Sequence, residues 1–179
     1  MNNEQLTIEL HPVAIEEREI LANLLEKYNY EFSQWDLRDV NGLGLYGYKY
    51  LDCYWLEERR FAYFIRADDK LAGFVMVNDF AEAPDRATDF SVAEFFVMHK
   101  YRRAGVGSFA AKAVFDLHRG RWQLKYHPKN TGSAIFWPRV VGEYTNGQYE
   151  LARAYPGTEY EDGTPGDILF FENNGGAPE

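Results

Sequence analysis

The stretch AEFFVMHKYRRAGVGSFAAKAVF, residues 93–115, joins an apolar run to a segment with helical spacing. Ala93 to Met98 predicts a buried strand. The apolar face predicted for the following helix consists of Phe109, Ala110, Ala113, Val114 and Leu117, and Gly120 predicts its end. Gly105 and Gly107 lie where the strand hands over to the helix. Amides at a helix start have no intrahelical acceptor, and glycine allows close approach of a ligand, so this junction predicts an anion site.

Composition limits what the chain can be. Its 179 residues predict one domain, which we place at residues 1–172, with the segment NNGGAPE at 173–179 as a disordered tail. A net charge of −9 argues against broad nucleic-acid binding. No run approaches the roughly 20 apolar residues that span a bilayer. Cys53 is the only cysteine, and the polar start MNNEQLTIEL lacks a secretory apolar core, so we expect a cytoplasmic protein with no membrane partner.

The order of predicted elements indicates a mixed α/β or α+β fold. A strand at Thr7–Leu10 precedes an amphipathic helix, whose apolar face consists of Ile20, Leu21, Leu24, Leu25 and Tyr28. An irregular aromatic region follows, with a second short helix expected at 36–40. The remaining predicted elements are strands at 61–65, 71–77, 90–98, 122–126, 148–155 and 167–172, and helices after Gly107 and at 130–144. Pro138 within the last helix predicts a kink or a late helix start, and Asn146-Gly147 predicts a turn.

With these elements placed, the chain resembles the GNAT superfamily of acetyl-CoA-dependent N-acetyltransferases. The signature R-x-x-G-x-G stands here at residues 102–107, after the strand Phe95–Met98, and the distal Asn130 is followed by SAIFW. The patterns of a P-loop and of a Rossmann fingerprint are absent. The resemblance implies a mixed, mostly antiparallel sheet of about six or seven strands, flanked by helices, with splayed central strands.

The resemblance also implies a binding site for coenzyme A. The backbone amides of residues 103–108 are expected to surround its pyrophosphate, and the free edge of the strand near Val97 is expected to pair with its pantetheine arm. The implied cofactor-binding residues are Val97, Arg102, Arg103, Gly105, Val106, Gly107, Ser108 and Asn130. We therefore expect acetyl-CoA as the acetyl donor.

The catalytic residues are a separate question. Glu94 lies inside an otherwise apolar strand, where a carboxylate is either paired or functional, and it is the candidate general base. Many family members place a tyrosine seven residues after the asparagine, where this chain has Trp137. Indole N–H cannot supply a proton at neutral pH, so either Tyr144 substitutes as the acid or no side-chain acid is needed. The four histidines have no ligand spacing, and we expect no metal site.

The region from Tyr28 to Trp55 falls where this fold places acceptor-binding loops. It holds the candidate substrate-binding residues Tyr30, Glu31, Trp35 and Asp36, because aromatic faces and carboxylates suit a cationic amine. The same aromatic residues could equally be ordinary core. An acidic rim is predicted from these acids together with Asp39, Asp79, Glu82, Asp85 and Asp89.

These observations predict an acyltransferase that passes acetyl from acetyl-CoA directly to a primary amine of a small, cationic or lysine-like acceptor, as a monomer or homodimer. A cysteine acyl-enzyme is disfavoured, because no histidine adjoins Cys53. The alternative from another class is a non-catalytic acyl-CoA sensor or protein-binding module with the same fold. A third possibility is transfer of a longer acyl or aminoacyl group.

Overall fold

The computed structural model describes residues 6–174 as four helices, seven strands and two short 3₁₀ turns. The strands are β1 (Ile8–Pro12), β2 (Phe61–Ala67), β3 (Lys70–Asn78), β4 (Phe90–Val97), β5 (Arg121–Tyr126), β6 (Tyr149–Ala152) and β7 (Asp167–Glu172). The helices are α1 (Arg18–Asp36), α2 (Cys53–Leu56), α3 (Val106–Leu117) and α4 (Thr131–Thr145). The 3₁₀ turns are Ile15–Glu17, before α1, and His99–Tyr101, before α3.

The strands form a single sheet in the order β1-β2-β3-β4-β5-β7-β6. Only β4 and β5 run parallel, while the other neighbouring strands of this sheet are antiparallel. The parallel pair needs a crossover, and α3 supplies it. The predicted mixed, mostly antiparallel sheet flanked by helices is confirmed.

Alternate residues of β3 divide the core into two layers. Phe74 and Met76 pack with Leu21 and Leu25 of α1, and Val75 packs with the layer that holds α3 and α4. Successive side chains of a strand point to opposite faces, so α1 covers one face of the sheet while α3 and α4 cover the other.

The helix predicted at residues 36–40 is wrong. Helix α1 continues through Asp36, and Leu37 ends it with a left-handed φ of 61° and an N–H that donates to the carbonyl of Ser33. The prediction failed because it assigned Asp36 to a second helix, whereas this residue is the last one of α1. The short helix of this region is instead α2, after an irregular segment at 37–52.

Two details of the later helices also differ from expectation. Phe109 and Leu117, predicted on the buried face of α3, are 46% and 57% exposed. The buried residues are Val106, Ala110, Ala111, Val114 and Phe115. Helix α4 begins at Thr131 and runs through Pro138, so the helix does not start late.

The first residue of the predicted tail belongs to the folded domain. Asn173 is buried, and its Nδ2 donates to the carbonyl oxygens of Phe115 (2.6 Å) and His118 (3.1 Å). Its Oδ1 accepts from the amide of Gly120 at 2.7 Å. The domain therefore extends at least to Asn173, and residues 175–179 of the predicted tail lie outside the described residues.

Candidate active site

The centre of the sheet opens between β4 and β5. The two strands pair only at Phe90↔Trp122 and Ser91↔Gln123, and they diverge beyond these positions. On the other side of β4, the amide of Met98 donates to the carbonyl of Ala72. Because bonded and non-bonded positions alternate along an antiparallel pair, the peptide groups of Phe95 and Val97 point away from β3 and into the gap. This free edge can pair with an extended ligand, as the predicted splay requires.

An anion-binding loop lies at the end of this edge. Arg103 and Gly105 have left-handed φ angles of 62° and 80°, and α3 starts immediately after Gly105. The amides of residues 106–108 fall in the first turn of α3, where they have no intrahelical acceptor and carry the positive end of the helix dipole. A Cβ on Gly105 would point into open space, while one on Gly107 would lie 3.6 Å from the Val97 side chain. The loop therefore adjoins the gap, and it fits a pyrophosphate.

Arg102 is occupied elsewhere. Its Nε donates to the carbonyl oxygen of Val97 at 2.7 Å, and its Nη atoms form a bidentate pair with Glu31 at 2.7 and 2.8 Å. Its own amide donates to the carbonyl of His99. The sequence predicted Arg102 for the cofactor and Glu31 for the acceptor. Instead the two side chains bind each other, because α1 crosses the sheet beside the end of β4.

Asn130 begins α4 at the far side of the gap. Its Oδ1 accepts a hydrogen bond from the amide of Ser133 at 3.1 Å and so caps the helix. Its Nδ2 has no hydrogen-bond partner within residues 6–174, and this group can donate to a ligand.

Glu94 follows an irregularity in β4. The register shifts between Met76 and Val77 of β3, so that Ala93 is an extra residue in β4. Such bulges redirect side chains beside functional sites. Ala93 packs in the α1 layer, whereas Phe95 packs on Trp137 of α4, with ring centroids 4.9 Å apart. Glu94 therefore projects on the α1 side of the gap.

The surroundings of Glu94 favour a carboxylate that can accept a proton. Burial raises the pKa of Glu94 to about 6, while hydrogen-bonding by the Tyr28 and Tyr48 hydroxyls and the charge of Arg38 lower it. Burial and the charge of Glu94 in turn raise the pKa of Tyr28 well above its usual value. At pH 7 Glu94 is mostly ionised and more basic than an ordinary glutamate, which suits a general base.

The acceptor residues predicted on α1 do not gather at Glu94. Tyr30 is 74% exposed, and with Phe96 and Met98 it lines a groove beside the end of β4. Trp35 packs on Phe32, with ring centroids 5.6 Å apart. Asp36 is buried, and its carboxylate accepts from Arg38 Nε at 2.6 Å. Helix α1 distributes these four residues around its circumference, and the assignment of Tyr30 and Glu31 to the acceptor stays a prediction.

Four tyrosines surround Glu94 instead: Tyr28 from α1, Tyr48 from the 37–52 segment, Tyr54 from α2 and Tyr160 from the β6–β7 loop. Burial is the largest cause of the raised pKa of each of these hydroxyls. The charge of Glu94 is the second cause for Tyr28, Tyr48 and Tyr54, whereas for Tyr160 the charge of Glu82 comes before that of Glu94. These tyrosines are far apart in the sequence, so no local pattern predicted that they would lie near Glu94. The high aromatic content of residues 28–55 did indicate the region that holds three of them.

The β6–β7 loop is tied to β5 beside this group. Asp162 accepts from Lys129 Nζ at 2.7 Å and lies 3.3 Å from Nε2 of the buried His127. The amide of Lys129 donates to His127 Nδ1, so Nε2 carries the proton and donates to Asp162. The ring of Tyr160 lies over His127, with centroids 4.6 Å apart. These contacts fix the loop that delivers Tyr160.

The structure does not bring Tyr144 to Glu94. Its hydroxyl donates to Asp116 Oδ1 at 2.8 Å and accepts from Asn173 Nδ2 at 3.3 Å. These partners lie at the C-terminal end of α3 and at the end of the chain's last strand. Trp137, two turns earlier in α4, is the residue that faces β4. Pro138 does not redirect Tyr144 towards the gap.

Most acids of the predicted rim are ion-paired. Besides Glu31 and Asp36, the pairs are Asp79–Arg59, Glu82–Lys125 and Asp89–Arg121, and Asp85 accepts from the hydroxyl of Tyr155. Their negative charge is therefore largely compensated locally, and Glu94 itself is left as the principal carboxylate that faces the gap.

Comparison with known proteins agrees with this geometry. A model of the acetyltransferase (GNAT) family matches residues 20–142, a span that includes β4, the anion loop and most of α1 and α4. The chain belongs to the GNAT acetyltransferase family. As a GNAT protein it is an acyltransferase whose cosubstrate is acetyl-CoA, and the free edge of β4 and the anion loop fit that cosubstrate. A search of curated protein sequences gives no significant match.

Solved structures share the GNAT fold at low sequence identity. An acetyltransferase from Thermus thermophilus is 14% identical with a TM-score of 0.66, covering 94% of this chain and 99% of its own. A ribosomal L7/L12 α-N-protein acetyltransferase in complex with coenzyme A is 16% identical with a TM-score of 0.65, covering 94% and 95%. A spermidine N-acetyltransferase from Vibrio cholerae, in complex with CoA and spermine, is 13% identical with a TM-score of 0.60, covering 95% and 96%. None of the helices within residues 6–174 has the length and apolarity to span a bilayer.

Proposed function

We propose that this GNAT protein transfers acetyl directly to the primary amine of a small cationic acceptor, with Glu94 as general base. The observation that carries the proposal is Glu94 itself, a bulge-positioned carboxylate of raised pKa beside the gap between β4 and β5. Glu94 takes a proton from the ammonium group, and the neutral nitrogen then attacks the thioester carbon. The C–S bond breaks, and the departing thiolate takes up the second proton that the nitrogen releases, so that the products are the amide and the free CoA thiol.

The residues proposed to hold acetyl-CoA are the edge and loop described above. The amides of Arg103, Gly105, Val106, Gly107 and Ser108 would bind the pyrophosphate. The peptide groups of Phe95 and the N–H of Val97 would pair with pantetheine, and the Nδ2 of Asn130 would donate to the same arm. Arg102 contributes its backbone and its hold on Val97 rather than a phosphate contact.

Direct transfer is favoured over a cysteine acyl-enzyme. Hydrogen bonding to Glu57 raises the pKa of the Cys53 thiol, with burial as the second cause. A raised pKa leaves less thiolate at neutral pH, which opposes nucleophilic catalysis. Cys53 therefore has no activating environment.

The cationic acceptor is supported by charge and by likeness. The chain carries a net charge of −9, and Glu94 faces aromatic rings that suit an ammonium group. The similar V. cholerae enzyme is a spermidine acetyltransferase holding spermine, whereas the ribosomal-protein enzyme acts on a protein. We propose a polyamine, an aminoglycoside or a lysine-like amine for this chain.

A panel of amines tests the proposal. With acetyl-CoA and purified protein, release of free thiol should be fastest for polyamines and other cationic primary amines. Raising the salt concentration should lower kcat/KM for the amine more than it weakens acetyl-CoA binding, because attraction between accessible charges is screened beyond about 8 Å at physiological salt. Binding of acetyl-CoA without thiol release across the whole panel would instead favour the acyl-CoA sensor, which the packing of Trp137 in place of an acidic tyrosine also fits. A best substrate that is anionic, with a salt-independent rate, would contradict the cationic assignment.

A further inference from the structure

Asp162 is a buried carboxylate in the middle of a loop. It belongs to the segment between β6 and β7, yet its side chain is only 2% exposed. Its Oδ1 accepts from the Thr164 amide at 3.0 Å, and its Oδ2 accepts from the Thr164 hydroxyl at 2.7 Å. Loops run over the surface, and an aspartate is almost never fully buried unless it is paired. The burial of Asp162 therefore requires partners outside the loop.

Those partners belong to the β5–α4 turn, residues 127–130. Asp162 accepts from Lys129 Nζ at 2.7 Å and from Nε2 of the buried His127 at 3.3 Å. Hydrogen bonds from Lys129 and Thr164 lower the pKa of Asp162, so the carboxylate is ionised at neutral pH, and hydrogen bonds to a charged group are the stronger kind. One carboxylate thus joins the β6–β7 loop to the β5–α4 turn.

The β5–α4 turn ends at Asn130, the residue proposed to bind the pantetheine arm. The Asn130 amide donates to the carbonyl of His127 at 2.9 Å, and the Thr131 amide donates to the carbonyl of Lys129 at 3.0 Å. The position of the Asn130 side chain therefore depends on where His127 and Lys129 are held. Asp162 binds both of these residues.

The tip of the β6–β7 loop, residues 160–164, lies against the α1 layer. The ring centroid of Tyr160 lies 4.6 Å from that of His127 and 5.7 Å from that of Phe32 on α1. The ring of Phe32 lies 5.8 Å from that of Tyr28, one of the tyrosines around the candidate base. The loop tip is therefore on the acceptor side of the gap, whereas α4 covers the other face of the sheet.

We propose that Asp162 is a positioning residue that couples the acetyl-CoA side of the gap to the acceptor side. Coenzyme A bound at Asn130 restricts the β5–α4 turn, and through Asp162 it restricts the loop tip. The amine then meets a tip that is already ordered, and its binding loses less conformational entropy. Because coupling between two sites is reciprocal, the amine likewise strengthens coenzyme A binding. This inference rests on the proposed function for the two ligands that it connects.

Hydrogen exchange measured by mass spectrometry tests the coupling with coenzyme A as the only ligand. In the wild type, saturating coenzyme A should protect residues 103–108 and also slow exchange in residues 160–164 about fivefold, the lower end of typical coupling between two sites. Lys129→Met removes the shorter link to the turn and leaves the bonds between Asp162 and Thr164 in place. Because the Lys129 side chain is 59% exposed, this variant should fold. The slowing in its loop tip should fall below about twofold.

Two more variants separate positioning from ordinary loop stability. Asp162→Ala removes both links and should abolish the effect of coenzyme A on the tip, whereas a purely structural role would only speed up exchange in the ligand-free protein. Glu159→Ala is the matched control, because the Glu159 carboxylate accepts from the Gly157 amide at 3.2 Å within the loop itself. This control should keep the full slowing. In steady-state assays, Lys129→Met should raise KM for the best cationic amine about fivefold with nearly unchanged kcat.

Two results overturn the coupling: protection of residues 103–108 without any slowing in residues 160–164, and slowing of the same size in the wild type, Lys129→Met and Asp162→Ala. A different result separates the coupling from the proposed function. If coenzyme A slows exchange in the wild-type tip and Lys129→Met loses this effect, but no amine gives thiol release, the proposed function is overturned and the coupling stands.

Discussion

Replacing Glu94 with glutamine should make the protein more stable at neutral pH while it removes activity. Burial raises the pKa of Glu94 from 4.5 to about 6, and at 1.36 kcal/mol per pKa unit the ionised form costs the folded state about 2 kcal/mol. Because the folded-state pKa of Glu94 is raised, its carboxyl favours folding below pH 4.5 and loses this contribution as the pH rises through 6. Glutamine has no charge to bury.

Chemical denaturation of the wild type and Glu94→Gln at pH 4, 6 and 8 measures this difference. The variant should gain up to about 2 kcal/mol in the free energy of unfolding at pH 8, less at pH 6 and none at pH 4. Glu150→Gln is the matched control, because Arg86 lowers the pKa of the exposed Glu150 and no gain with rising pH is expected. Turnover of Glu94→Gln should fall roughly 10²- to 10⁴-fold with unchanged acetyl-CoA affinity. A stability difference that does not vary with pH, or a variant with normal turnover, would refute the reasoning.

Two further predictions concern the cofactor. Gly105→Val should abolish coenzyme A binding measured by calorimetry, because φ is 80° and a side chain there occupies the space before α3. Gly157→Ala is the control, because Gly157 has a φ of 78° and equally open surroundings. This variant should carry backbone strain without losing affinity for coenzyme A. Normal CoA affinity in folded Gly105→Val would show that the loop is not the site. Arg102→Met should leave the affinity for adenosine 3′,5′-bisphosphate within about twofold and cost up to about 1 kcal/mol of stability, because its guanidinium pairs with Glu31. That cost should nearly vanish in a Glu31→Gln background, and a tenfold loss of nucleotide affinity would instead make Arg102 a phosphate ligand.

The strand–loop–helix at residues 93–117 could be predicted because its determinants are local. An apolar run, two glycines and a helical spacing follow one another along the chain, and Gly105 adopts the left-handed conformation that its residue type allows most easily. Glu94 was identifiable for a similar reason, as a carboxylate within an apolar strand. The buried face of α3 was predicted incorrectly at Phe109, because the local spacing of apolar residues is compatible with two neighbouring faces of the helix.

What surrounds Glu94 could not be predicted from local patterns. The position of Tyr48 depends on Glu26, twenty residues before the Tyr46 amide that it binds, and Arg102 meets a carboxylate 71 residues away. Such pairings are set by which segments the sheet brings together. The negative charge of the predicted acidic rim was overestimated for the same reason. A count of carboxylates in the sequence does not show that Lys125 pairs with Glu82 and Arg121 with Asp89.

The gap in the sheet has a thermodynamic consequence for the protein as a whole. Strands β1–β4 and β5–β7 are two half-sheets joined in the ladder by two residue pairs. The core in which side chains of α3 and α4 pack against both halves also connects them. A ligand that pairs along β4 becomes a temporary eighth strand. Its binding free energy is then added to the cohesion of the sheet, by RT ln(1 + [L]/Kd), about 2.7 kcal/mol at a hundredfold excess over Kd. The cellular supply of the acyl donor would set how firmly the two halves hold together.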